Sequence, residues 1–233
     1  MLYQLNHLYA LLGVAVALVG GLYAHDAVQV LVGRALGDRT AADSGRLTWR
    51  LTPHLDVYGA VMAIVVGYGW GAPVPVDDRW RGRRRRVAAT LLAGPLTYAV
   101  LAVAALGVAR AGSRHAAFVP LYGLLPLDHA GQFLLAAAAT WAGQAVLSLL
   151  PIPPMLDGGR ALFAWAPVTH GWQQARYQLI ERNIGLIITI AIVLVPRISR
   201  LPDPVGELGG FVDSSMGEVH GQLLKALAHL VGL

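Results

Sequence analysis

Four side chains in this sequence have types and spacing suited to hydrolytic chemistry. His25, Asp26 and Gln29 fall in one short run, H-D-A-V-Q, and Asp157 lies far downstream in LLPIPPMLDGGR (Leu149 to Arg160). A helical spacing of four places His25 and Gln29 on one face. The frame is that of H-E-x-x-H, where two imidazoles one turn apart hold zinc and the glutamate beside the first serves as general base. A hydrolytic zinc site needs three protein ligands, an open position for water and that carboxylate. The chain has no cysteine, so disulfides, thiolate metal sites and thiol nucleophiles are excluded. Any metal must then be held by His, Asp, Glu or an amide oxygen. An amide oxygen, at Gln29, is a poor zinc ligand beside imidazole. Asp26 is one methylene shorter than glutamate, and a misplacement of about 1 Å can cost ~100-fold in rate.

Asp157 sits in a break. Pro151, Pro153 and Pro154 cannot continue a helix, and Gly158 and Gly159 admit backbone shapes that other residues avoid. The apolar run Phe133 to Leu150 precedes them. Two readings apply: an ionisable residue at membrane depth, which points to function, or a solvated aspartate in a surface loop. His54 has two readings as well, a metal donor or a loop histidine bonding backbone.

The elements that must position these groups are mostly apolar. The 233 residues are 56% hydrophobic and 13% charged, against roughly 25% charge in a soluble domain. An all-α, polytopic integral membrane protein is expected. The first residues, MLYQLNHLYALLG, carry no basic segment or small-residue cleavage site before His25 and read as a retained span. Leu8 to Leu36, Val87 to Val108 and Gly131 to Leu150 are predicted spans, Gly94-Pro95 marks a kink, and Arg176 to Val195 holds a further apolar run ended by Pro196. Arg46 to Leu51 alternates with period two and predicts one strand of a small β-hairpin at the membrane surface. Val57 to Trp70 is too short to cross about 30 Å of hydrocarbon and predicts a re-entrant or tilted segment. The net charge of +5 comes mainly from clustered arginine. The run Arg79 to Arg86 reads as a cytoplasmic anchor, which places the chain as a multi-pass protein of the plasma (inner) membrane, with anionic lipid as a lesser reading. Residues 1–200 form the expected transmembrane core. Residues 201–233 form a Pro/Gly linker and an amphipathic helix with Leu223, Leu224, Leu227, Leu230 and Val231 on one stripe.

Taken in order, the motifs resemble those of the site-2 protease family of intramembrane zinc metalloproteases. LGDRTAADSGRLTWRLTPHLDVYGA follows the His25 helix, GYGWGAPVPV comes next, then Ala93-Gly94-Pro95-Leu96, then LLPIPPMLDG. The resemblance runs from about Tyr23 to Leu162 and implies a site-2-protease-like helical bundle. It places His25 and Asp157 at the first and third zinc-ligand positions, Gln29 at the missing second-histidine position and Asp26 at the general-base position. Ser148 and Tyr98 stand where the family usually carries asparagine, and Met155 is one residue extra before Leu156-Asp157-Gly158. In a helix that insertion would rotate Asp157 by about 100°. The resemblance also implies that Arg46, Leu47, Thr48, Trp49, Arg50 and Leu51 form the edge on which a partner pairs by strand addition.

The expected function is therefore a catalytically degenerate relative with no cofactor, acting as a binding or structural subunit among membrane lipid and a transmembrane protein partner or larger assembly, and not with nucleic acid. The alternative is an active zinc endopeptidase with altered ligands that cleaves transmembrane substrates. A small transporter ranks last, because paired discontinuous helices in two matching halves are missing.

Overall fold

The computed structural model describes residues 8–77, 84–112 and 129–199. The chain folds as α1 (Leu8–Leu36), α2 (Thr40–Asp43), a 3₁₀ turn (Thr52–His54), α3 (Val57–Val66), α4 (Arg84–Gly112), α5 (His129–Leu149), α6 (Asp157–Trp165), α7 (His170–Arg176), a π-helical turn (Tyr177–Glu181) and α8 (Ile184–Ser199). Three helices, α1, α4 and α5, are long and apolar enough to cross a membrane. The stretch from α7 to α8 makes a fourth if its two pieces count as one span; they meet at a 66° bend. The chain is thus an integral membrane protein by the length and composition of its helices. The expected linker and amphipathic helix, residues 201–233, lie outside the described residues, as do Arg79 to Arg83.

Small residues let α1, α4 and α5 pack against one another. Ala17, Ala102, Ala138 and Ala142 are fully buried, as expected where dispersion and close backbone approach drive association in lipid. Gly21 leaves room for the Trp141 indole, whose Nε1 donates to the Ala17 carbonyl at 2.9 Å. Leu8, Leu12, Val16 and Val19 of α1 stay exposed, an apolar face for lipid. Met62, Val66, Trp70, Leu147, Leu156 and Val193 form a core that joins α3, α5 and α8 to the proline-rich break.

The hairpin expected at 46–51 is not formed: among the described residues there is no strand, only an isolated antiparallel bridge between Leu55 and Gly71. Arg46 turns inward and donates to the carbonyls of Pro53 (2.6 Å), Ala72 (2.6 Å) and Pro73 (2.7 Å). Those bonds bend the backbone instead of leaving it to pair along an edge. The following short segment, α3, is capped by Asp56, whose carboxylate accepts from Gly59 N at 2.8 Å, and ends at Gly67 with φ 96°. This left-handed stop is one that glycine adopts without strain.

Candidate functional site: a buried charge cluster

Helix α1 carries His25, Asp26 and Gln29 on its buried side, near its middle. Asp157 begins α6 and is also buried. His25 Nε2 lies 2.8 Å from Asp157 Oδ2, and His25 Nδ1 lies 3.1 Å from Asp26 Oδ1. The two carboxylates thus take opposite edges of one imidazole. Asp26 also accepts from Arg46 Nη1 at 2.9 Å and contacts His54 Nδ1 at 2.6 Å, both through Oδ2. Asp157 accepts from Arg160 Nη1 at 3.3 Å through Oδ1. Two guanidinium groups therefore balance two carboxylates. That is the condition under which buried charge is tolerated.

The irregular break absorbs Met155, so Asp157 still reaches His25. Gly158 and Gly159 make this approach possible: a methyl on Gly158 would collide with the Leu149 backbone, and one on Gly159 with Ile152 and Pro153. Arg160 closes the arrangement from behind by donating from Nη2 to the Val74 carbonyl.

Gln29 has another task. Pro95 lies inside α4 and has no N–H, so the Leu91 carbonyl loses its usual i+4 donor. Gln29 Nε2 supplies the missing bond at 2.8 Å. Its Oε1 is buried and unpartnered. Gly94, beside Pro95, is where α1 and α4 come closest, because a methyl there would strike both His25 Nε2 and Gln29 Nε2. The Tyr98 ring stacks on His25 with centroids 4.9 Å apart.

This geometry bears on zinc. The protein atoms near His25 Nε2 comprise one carboxylate, and among the described residues no group of three His, Cys, Asp or Glu is placed to hold an ion. A structural zinc needs four protein ligands and a catalytic one three. The buried amide oxygen of Gln29 is a poor zinc ligand beside imidazole. The donor set does not fit a catalytic zinc. Asp26 is held across the ring from Nε2, in the place of a carboxylate that orients a histidine.

The structure thus brings together His25, Asp26 and Asp157 and seats Gln29 beside them. Of the loop residues singled out in the sequence, Arg46 joins this cluster; Leu47, Trp49 and Arg50 are exposed. His54 bonds backbone, its Nε2 lying 3.1 Å from the Thr48 carbonyl, while its Nδ1 meets Asp26. Arg160 was not singled out for the site, and Tyr98 only as a departure from the family's usual asparagine. For Arg160 the usable signal is its place three residues after Asp157, which is a contact distance on a helix. Tyr98 lies one helical turn beyond Gly94, a spacing that puts it on the same face.

The chain is 32% identical over 197 residues to the protein of Bacillus subtilis (strain 168) named "Putative zinc metalloprotease YwhC", a match that spans 78% of this chain and 80% of that one. No family model matches the chain, and no solved structure matches it significantly.

Proposed function

Because the chain belongs to the same metalloprotease family as YwhC, we propose that it is a membrane-embedded member of the site-2-protease type that binds a transmembrane partner without cleaving it. One observation carries this reading. Asp26, at the general-base position, bonds the Nδ1 edge of His25 and two further protein groups. A carboxylate has about four acceptor sites. With three partners engaged and the imidazole in between, it is poorly placed to take a proton from water held at Nε2. General-base work requires hydrogen-bond reach.

The loop over residues 47–57 supports a binding role. Tyr23 Oη donates to the Trp49 carbonyl at 2.7 Å, which ties this loop to the middle of α1. Tyr23 stands about 16 Å along the helix from Arg34 at 1.5 Å per residue. Trp49 is 90% exposed, and Leu47, Leu55, Val57 and Tyr58 are exposed beside it. Irregular backbone facing lipid at such depth is not tolerated unless protein or a water-filled cavity covers it. A transmembrane helix of a partner, laid across Arg46 to Leu51, would cover it. In this reading Arg79 to Arg86 faces the cytoplasm and the chain sits in the inner membrane.

The test uses the purified chain in lipid nanodiscs with a membrane-embedded reporter peptide. The expected result is no cleavage, together with cross-linking to a co-expressed transmembrane protein from a photoreactive residue at position 49. Cleavage that a chelator stops would overturn the proposal. A second reading, a working peptidase, draws on the 2.8 Å approach of His25 to Asp157 and the unpartnered amide oxygen of Gln29. It requires about one tightly held zinc per chain.

A further inference from the structure

A cleft of about 740 Å³ opens beside Arg160. Among the described residues it lies between the start of α4, helix α6 and the α7 turn. Val87, Leu91, Phe163 and Ala164 give it apolar walls, and Arg84, Arg176, Trp172 and Tyr177 stand around it. Trp172 packs edge-on against Phe163 with centroids 5.4 Å apart. The volume is in the range of sites that enclose a small organic molecule.

Its place in the fold narrows the occupant. Arg84 donates to the Trp165 carbonyl at 3.2 Å, and Arg86 donates to the Leu36 carbonyl at the end of α1. The cleft therefore lies level with the ends of two spans, where Arg34, Arg84, Arg85 and Arg86 gather. Arginine and aromatic residues mark the boundary between hydrocarbon and headgroups. Asp77 and Glu181 also line the cleft, against Arg84 and Arg176; Arg160 is taken up by Asp157, and the exposed Arg85 and Arg86, next to Arg84 in the chain, tip the sum. The balance is positive. An apolar interior with a basic rim at headgroup level is complementary to an acyl chain that carries an anionic phosphodiester.

We propose that this cleft binds an anionic phospholipid, with its acyl chain against Val87, Leu91 and Phe163 and its phosphodiester between Arg84 and Arg176. The cleft shares Arg160 with the His25 cluster, but Arg84 and Arg176 lie outside that cluster, and the proposal does not depend on whether the cluster cleaves peptide.

The full chain, stripped of lipid in detergent, is exposed to equal amounts of phosphatidylglycerol, phosphatidylethanolamine and phosphatidylcholine, and retained lipid is counted by native mass spectrometry. Phosphatidylglycerol is expected to be retained about tenfold over the other two. Arg84→Gln with Arg176→Gln should abolish that preference, and Ala164→Trp, which fills the cleft, should abolish retention. Arg39→Gln, an exposed arginine elsewhere, should leave both unchanged. Equal retention of the three lipids, retention by the filled cleft, a loss with Arg39→Gln as large as with the double variant, or displacement by millimolar inorganic phosphate would each overturn the proposal. Thermal unfolding of each variant identifies any that has not folded; the double variant alters only the rim and decides the matter if Ala164→Trp does not fold.

Discussion

Arg46 makes four bonds inside the protein, one to Asp26 and three to the carbonyls of Pro53, Ala72 and Pro73. Removing one member of a buried ion pair leaves the other charge uncompensated, at a cost of about 3–5 kcal/mol. Arg46→Met is expected to lose stability on that scale in detergent unfolding. Arg46→Lys should recover only part of it, since an ammonium cannot match the planar fork. Full recovery with Arg46→Lys would show that the fork is not what matters. At this scale the sequence was legible for position and not for direction. His25, Asp26 and Asp157 could be picked out because acids and imidazole are rare in apolar runs. Arg46 could not, because an arginine in an alternating polar stretch looks the same whether its head reaches water or a buried carboxylate. The partner that decides, Asp26, is 20 residues away, beyond the range of any local pattern.

Among elements, the joint between α1 and α4 rests on a gap in α4's own bonding. Pro95 leaves the Leu91 carbonyl free, and Gln29 fills it. Gln29→Leu should therefore cost about 1–3 kcal/mol, the penalty for a buried acceptor left without a donor. In a Pro95→Ala background the restored N–H serves that carbonyl, and the same substitution should cost about 1 kcal/mol less. A double-mutant cycle read by denaturant unfolding checks this, and additive costs would exclude the link. The spans themselves were readable from length and composition. The hairpin was not: period-two alternation in 46–51 reflects one inward arginine among exposed neighbours, not the two faces of a strand. The bent α7–α8 stretch was read as a single apolar run. Its break comes at Asn183, the one non-glycine residue with positive φ among the described residues, at the end of the polar triplet Glu181-Arg182-Asn183.

At the level of the whole molecule, α1, α4, α6 and the loop of Arg46 and His54 hold the charge cluster between them, its carboxylates matched by guanidinium and imidazole groups. A protein stabilised by a bound ion unfolds at lower temperature when a chelator removes it. The melting temperature here should not move on chelation, and metal analysis of the folded protein should find well below one zinc per chain. A Tm drop reversed by zinc would contradict the bonding described for His25 and Asp157. Similarity to YwhC over most of both chains marks a shared family. The overall plan was therefore easier to read than the site: order and spacing of motifs survive substitution of a few side chains, while reactivity depends on which edge of a ring each carboxylate meets.

The amide of Gln29 also limits how this position can vary. It mends the hydrogen-bond ladder opened by Pro95, so a side chain at 29 that cannot donate over the same distance strands the Leu91 oxygen. A longer acid at position 26 would have to fit between His25, His54 and Arg46. Positions 29 and 95 are thus epistatic: a change at one alters which residues the other tolerates.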